Sequence, residues 1–514
     1  MTRALSAFSY GHGGLGVCLI ALAAGFLLPT SRLRDRDAKR LLPWLAVAVG
    51  ASFITELCLT TAYLFSPGYL DHIEASVASN VHALLGGQPL YPPTDSYTFG
   101  GLLYGPLLAE LNSLGCLVLD DASGAKLIGW LAGWGAVIML ITQSWRRGPR
   151  TASVAASSYA LCILVSVGPE LTVDRAEPLL LLFAACSVVV AQSVRGLSAP
   201  VLLGLLCGAA IGLKIHAALY IVPALYLWAS AVPLDEWRRR WIVLLGCIAG
   251  PALLALMLPF LPTNVSPSGY LLYLTLATKH GLSGDLFGRN VAFLLGLWAP
   301  WVLVGSRPKG FAIALLACEC IVLILASKPG AGFHHFIPFL AVHAFVFQDA
   351  VAQSTPARTT RALIATVLGM VTPTIQTFAP FITFDLHLAQ QREQRDELLL
   401  FADQYPHGML GVAGDESYPL THFRPWLTGR GIQQTDYGAY MDLALSGVSD
   451  GPLAEAFQHC EMPFVYLPKP GEPFTVTSRY SQQSLFSNDV RDQFAASFLR
   501  VKSGVYFDVF ACRS

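Results

Sequence analysis

"SPGYLDHIEASVASNVHALLGGQPLYPPTDSYTFGG", residues 66–101, interrupts a chain that is apolar for most of its length. Three ionisable residues, Asp71, His72 and Glu74, directly follow an apolar run at 41–65 and lead into a Pro- and Gly-rich loop that runs on to "LYGPL" at 103–107. Hydrophobic residues make up 54% of the chain and charged ones 13%, against about 25% charged in a soluble domain. The chain is therefore an integral membrane protein, and 66–101 is a segment that leaves the bilayer. Lys and Arg number 33, as do Asp and Glu. With no general basic field, nucleic-acid binding is set aside.

Apolar runs that could cross a bilayer, some of them short enough to need tilting, fall at 13–29, 41–65, 126–143, 151–168, 178–194, 199–213, 215–232, 241–262, 290–305, 310–327, 334–348 and 362–380,. The first lacks a small-residue cleavage site and reads as a retained helix. Basic loops lie at 32–40 ("RLRDRDAKR"), 145–150 ("WRRGPR"), Arg195, 236–240 ("EWRRR"), 306–309 ("SRPK") and Arg358 with Arg361. The bias of Lys and Arg toward the cytoplasm puts all of these on one side. Keeping them there requires that 102–119, which carries Glu110 and Asn112, lie along or dip into the outer face rather than cross it,. The outer side then holds 66–125, "GPELTVDRAEP" at 168–178, the turn around Lys214, 263–289, "KPGAGFHH" at 328–335 and everything after about 381,.

From 384 charges become frequent and apolar runs shrink to strand length. "GMLGVAG", "PFVYLP" and "GVYFDVFACR" read as strands, and 387–403, 452–459 and 489–499 as helices,. The expected organisation is a membrane domain over 1–383 and a small α/β domain over 384–514. Of the 11 cysteines, nine sit in or beside apolar runs, where the residue is usually a small buried apolar group. Cys460 and Cys512 belong to the C-terminal domain and could pair in an oxidising compartment; two unlinked thiols are the alternative. Neither a repeat nor a Walker-type glycine loop is present,.

Asp71 and Glu74 are three apart and share a helix face. A carboxylate at the membrane boundary is partly desolvated, which raises its basicity and suits it to take a proton from a hydroxyl. The same residues could simply cap and solvate a surface helix. Glu170, Asp174, Arg175 and Glu177 crowd one short outer loop; they form a second acid site, a set of hard oxygen ligands for a divalent metal, or an internally paired helix end. Cations gather at outer helix ends: Lys214 with His216, Lys279 with His280, Arg289, and Lys328 with His334 and His335. Singly these are snorkelling anchors, and together they could neutralise a phosphate at headgroup level. Glu56 and Glu319 fall inside apolar runs, and Glu319 has no evident partner,.

Taken in order, "GYLDHIEASVASNVHALLGGQPLYP" (68–92), "LYGPL", "DRAEPLLLL" (174–182), "GLKIHAALYIVPAL" (212–225) and "KPGAGFHHFIPFL" (328–340) resemble the GT-C superfamily of polytopic glycosyltransferases, in its bacterial protein-mannosyltransferase-like and aminoarabinose-transferase-like branch. The resemblance implies an α-helical polytopic membrane fold with about 11 to 13 spans and a small C-terminal α/β soluble appendage. It also implies inverting transfer of a sugar from a polyprenyl-phosphate donor to a hydroxyl of a lipid, glycan or protein, on the periplasmic side of a bacterial inner membrane. The catalytic carboxylate maps onto Asp71, with Glu74 the alternative because this chain has "DHIE" where relatives have adjacent acids. A second acidic motif maps onto Asp174 and Glu177. Lys214, His216, Lys328, His334, His335 and Arg175 are then the donor-phosphate ligands, and Tyr91, Tyr97 and Tyr104 either line the cavity or its lid or are interfacial anchors. No cofactor is required, and a divalent metal remains open. The rival classes are a transporter of a lipid-linked sugar, which would place its ionisable residues at mid-membrane on paired repeats, and a non-catalytic scaffold.

Overall fold

The computed structural model describes residues 35–69, 72–99, 104–119, 121–147, 157, 172–304, 310–352, 390–414, 424–430, 432–478 and 480–513. The expected spans at 13–29, 151–168 and 362–380 lie outside the described residues. Two compact units form: one from residues 1–65, 126–259 and 282–383, the other from 66–125, 260–281 and 384–514.

The first unit is helical. It comprises α1 (Asp35–Leu64), then, beyond the helices α2 and α3 of the second unit (His72–Leu85 and Pro106–Gly115), most of α4 (Asp121–Arg147). There follow α5 (Ala176–Ser193), α6 (Ser198–Leu213), α7 (Ala218–Ala231) and α8 (Leu234–Met257). Helix α9 (Pro267–Ala277) belongs to the second unit, and α10 (Gly284–Val304), α11 (Gly310–Leu325) and α12 (Leu340–Ala352) to the first. Among the described residues four helices are long and apolar enough to cross a membrane and four more are shorter apolar helices. The stretch 237–260 buries only 6% of its most apolar window, so its Ile242, Leu253 and Leu254 side chains are lipid-facing.

Lipid tails are as apolar as leucine, so these helices are held by close approach and by polar contacts rather than by hydrophobic exclusion. Gly204 and Gly208, a G-x-x-x-G pair on α6, let that helix lie directly on the Ile248 and Ala252 carbonyls of α8. Trp134 donates to Thr60 Oγ1 (3.2 Å), Gln143 to Gln192 (2.9 Å) and Gln348 to the Ser144 carbonyl (3.1 Å). Buried Lys126 donates to the Tyr63 carbonyl (3.3 Å) and sits 4.1 Å from the centre of that ring. Glu319, without an evident partner in the sequence, has two. Trp298 Nε1 donates to one oxygen (2.7 Å), and His343 Nε2 lies 2.5 Å from the other. The three come from α10, α11 and α12, and no local spacing relates them.

In the second unit, α3 has 10 residues, about 15 Å of helix, half a hydrocarbon thickness, and is not a span. Residues 390–404 form α13, and the remaining helices are α14 (Arg424–Gly429), α15 (Tyr437–Leu445), α16 (Gly451–Gln458) and α17 (Asn488–Ser497). The five strands are β1 (Met409–Leu410), β2 (Gln433–Gln434), β3 (Phe464–Pro468), β4 (Phe498–Ser503) and β5 (Phe507–Cys512). Their order is β2-β1-β3-β5-β4. Strand β1 pairs in parallel with β2 and β3, and the β3–β5 and β5–β4 pairs are antiparallel, with Val465 opposite Phe510. The sequence's expected helix over 489–499 stops at Ser497 because Phe498 turns into β4, where its ring stacks 5.1 Å from Phe494. Cys460 and Cys512 are disulfide-bonded, with Cα atoms 5.9 Å apart.

Residues of α2, α3 and the stretch between them pack against this sheet. Val81, Leu90, Tyr91, Phe99 and Ala109 share one core with Val265, Tyr270 and Tyr273 and with Tyr440, Phe457, Phe474 and Phe494. Phe99, at φ 44°, packs 4.1 Å from Tyr440, and Ser79 bonds Thr428 (2.6 Å). Burial of these apolar side chains stabilises the conformation that Phe99 would otherwise avoid.

Candidate functional site

The loop before α5 sets the site in the first unit. Arg175 is the N-cap, Ala176 and Glu177 begin the helix, and Pro178 follows in the first turn, where a missing N–H costs nothing,. Glu177 therefore stands at the positive end of the helix dipole. The preceding backbone presses on α4 at Gly129, where a methyl group would run into the Val173 carbonyl. That close approach fixes the height of Asp174 and Arg175, which are both buried.

The turn between α6 and α7 supplies the next groups. Lys214 caps α6 in an extended conformation, and its carbonyl accepts from Ala217 N (2.8 Å). Its side chain, 6% exposed, donates to Glu177 Oε1, whose side chain is fully buried. The other Glu177 oxygen is buried with no hydrogen-bond partner among the described residues. His216 follows two positions after Lys214 and meets Tyr220 one helical turn further on, Nε2 to hydroxyl 3.2 Å.

The third contributor is the segment after α11. Gly330 (φ 81°) turns the chain into a 3₁₀ stretch over Phe333–Phe339. Helix α10 holds it: Asn290 donates to the Ala326 carbonyl (2.8 Å), and Phe293 packs on Phe333 and Phe336, ring centres 5.4 and 6.0 Å away. His335 Nδ1 comes within 3.2 Å of His216 Nε2, and its ring centre is 4.6 Å from that of His334. Arg175, Lys214 and His334 act electrostatically on Glu177, and Lys214 and Lys328 on His216.

The structure thus brings together Arg175, Glu177, Lys214, His216, Lys328, His334 and His335, from three separate stretches of sequence. Asp174 adjoins them along the chain. Asp71 and Glu170 lie outside the described residues. Glu74 is fully buried on α2 in the second unit. Tyr91 is 5% exposed, donates to the Tyr104 carbonyl (2.8 Å) and packs between Tyr270 and Tyr273, with ring centres at 5.3 and 5.8 Å. Tyr97 bonds Gln433 Oε1 (3.1 Å), and Tyr104 is half-buried. Two of the other expected cations go elsewhere: Lys279 donates to the Ser446 carbonyl (3.2 Å), and Arg289 pairs with Asp285 one turn away on α10 (2.6 Å).

Tyr220 is the residue that sequence reasoning missed. His216 lies in the turn before α7, which begins at Ala218, so no helix-face spacing linked the two residues in the sequence. Among the described residues no group of three or more His, Cys, Asp or Glu side chains could hold a metal ion. Chemically, the cluster offers three fixed cations and three imidazoles around buried carboxylates at helix ends, an arrangement suited to an anion.

No protein-family model matches the chain, and no curated protein sequence does. Solved structures do share its fold. ArnT from Cupriavidus metallidurans bound to undecaprenyl phosphate superposes over 89% of this chain and 97% of its own, with a TM-score of 0.53 and 11% identity. The apo state of the same protein covers 90% and 98%, again with a TM-score of 0.53 and 11% identity. The chain has the ArnT-like GT-C fold, with a small sheet-containing region at its C-terminal end.

Proposed function

We propose, from this fold and the cation cluster it holds, that the protein is a membrane glycosyltransferase. It moves a sugar from a polyprenyl-phosphate donor to an acceptor hydroxyl on a lipid, glycan or protein at the periplasmic face of a bacterial inner membrane. The observation that carries the reading is the convergence of Arg175, Lys214, His216, Lys328, His334 and His335 around buried Glu177 at the ends of apolar helices. A lipid-linked phosphate fits such a place: its chain lies in the bilayer and its charge meets the cations. The ArnT neighbour, in complex with undecaprenyl phosphate, supports this choice of ligand.

In the reaction, the acceptor oxygen attacks the anomeric carbon from the side opposite the phosphate. The bond from that carbon to the phosphate oxygen breaks, the polyprenyl phosphate leaves with the electron pair, and the configuration inverts. Lys214, Lys328, Arg175 and the histidines stabilise the charge that grows on the leaving phosphate. Glu177 holds Lys214 in place. The acceptor proton goes to a first-loop carboxylate, Asp71 or Glu74, and Asp174 is the second acid. Tyr97 and Tyr104 serve as substrate-contacting aromatic residues, and the C-terminal region is periplasmic. A transporter of the same lipid would leave the sugar–phosphate bond intact.

The test is transfer from a radiolabelled polyprenyl-phosphate sugar pool by membranes carrying matched amounts of wild type, Asp71→Asn, Glu74→Gln or Asp174→Asn. Loss of transfer with donor binding retained in Asp71→Asn or Glu74→Gln supports the first-loop base. Unchanged transfer in both removes that role, and label that crosses the bilayer uncleaved favours the transporter.

A further inference from the structure

We propose that Tyr220 is a positioning residue that fixes the proton of His335 on Nε2, so that this ring offers an N–H donor, not a lone pair, to the donor phosphate. The inference rests on reading the cluster as a phosphate site and adds a residue and a protonation state to it.

The argument is a count of hydrogens. A tyrosine hydroxyl has one. Tyr220 donates it to the main-chain carbonyl of His335 (2.8 Å), a group that can only accept. The hydroxyl oxygen therefore faces His216 as an acceptor, and the His216 nitrogen 3.2 Å away, Nε2, carries a hydrogen. That same Nε2 is 3.2 Å from His335 Nδ1. Two N–H groups cannot face each other at that distance, so His335 Nδ1 is a lone pair shared with the His216 N–H. His335 is then neutral, with its only ring hydrogen on Nε2.

Tyr220 is able to impose this order because it cannot move. It is fully buried on α7, and its ring stands edge-on to Phe339 at 4.8 Å. By contrast, His335 is half-buried, and its Nε2 makes no hydrogen bond among the described residues. The charged and titratable groups facing His335 are Lys214, Arg175, His334 and His216; those facing His216 are Lys214, Glu177 and Lys328. A neutral donor at 335 adds a hydrogen bond without adding another positive charge to this set. With the tautomer reversed, a lone pair would meet the phosphate oxygens and the bond would be lost.

The experiment has two arms on the full-length protein in detergent or nanodiscs. ¹⁵N-histidine spectra between about pH 6 and 8 report which ring nitrogen carries hydrogen, without any substrate. Native mass spectrometry reports undecaprenyl phosphate affinity. The proposal expects the Nε2–H form of His335 in wild type. In Tyr220→Phe it expects mixed tautomers and binding weakened in proportion to the Nε2–H form that is lost, about two-fold for an even mixture. A purely structural role for Tyr220 would lower the melting temperature and leave the tautomer unchanged. A wild-type His335 with hydrogen on Nδ1 overturns the lock, and this needs no variant. An unchanged tautomer in Tyr220→Phe overturns it as well. Tautomers as derived, with equal binding in the two proteins, overturn the phosphate half alone and keep the failure of the site reading distinct from that of the lock.

Discussion

Lys214→Met removes one half of a buried ion pair. Lys214 is 6% exposed in its side chain and Glu177 fully buried, so water screens neither. Opposite charges about 4 Å apart attract by about 4 kcal/mol at an effective dielectric of about 20. Removing one partner of such a pair costs about 3 to 5 kcal/mol, because the other charge stays buried and uncompensated. Arg175 and His334 also face Glu177 and recover part of this, which puts the expected loss at the low end, about 3 kcal/mol. For a unit of this size that lowers the melting temperature by about 5 °C, read by scanning fluorimetry in detergent. Lys214→Met/Glu177→Gln removes the orphaned charge as well and should regain at least half of the loss, while polyprenyl-phosphate binding stays weak. A single variant melting within about 1 °C of wild type, or a double variant as unstable as the single, would refute the reasoning.

Gly129→Val drives a branched side chain into the Val173 carbonyl; it should displace the Asp174–Arg175 loop and reduce transfer more than it reduces membrane expression, measured side by side. Reducing the Cys460–Cys512 bond opens a loop of separation 52, worth about 4 kcal/mol by chain entropy, so dithiothreitol should lower the melting temperature of the second unit and slow its band on non-reducing gels. Burial pushes the Asp442 carboxyl up to about 6, against a bond from Tyr480 (2.9 Å) that favours its charged form. Because the folded state binds this proton more tightly than the unfolded chain, stability is highest below about pH 4 and falls as pH rises through about 6. Hydrogen exchange of α15 should show a loss of no more than about 3 kcal/mol over that window, flattened in Asp442→Asn; a slope of the opposite sign would exclude the assignment.

The membrane fold was legible because its signals are local. Apolar runs of spanning length, and the Pro, Gly and charge clusters between them, marked the helices, and strand-length apolar runs marked β3 and β5. The cation cluster was legible as chemistry but not as one place, since Glu177, Lys214 and His335 meet only through tertiary packing. Spacing also gave no way to see that Trp298, Glu319 and His343 converge from three helices. Tyr91 shows what spacing leaves open. An outer-loop tyrosine suggests a sugar platform, but whether its face is free depends on Tyr270 and Tyr273, about 180 residues later. Tyr220 was no more legible, since His216 lies in the turn before α7 and the His335 carbonyl that gives the Tyr220 hydroxyl its direction comes from a distant segment.

The measurement that bears most directly on the central claim is competition between undecaprenyl phosphate and undecaprenol for the purified protein, by native mass spectrometry, in wild type and Lys328→Met. The account predicts that the phosphate is retained in strong preference to the alcohol, and that Lys328→Met weakens it about ten-fold or more, as expected when a cation is taken from a phosphate. Equal retention of the two lipids, unaffected by Lys328→Met, would mean that the cluster holds no phosphate and would contradict the account.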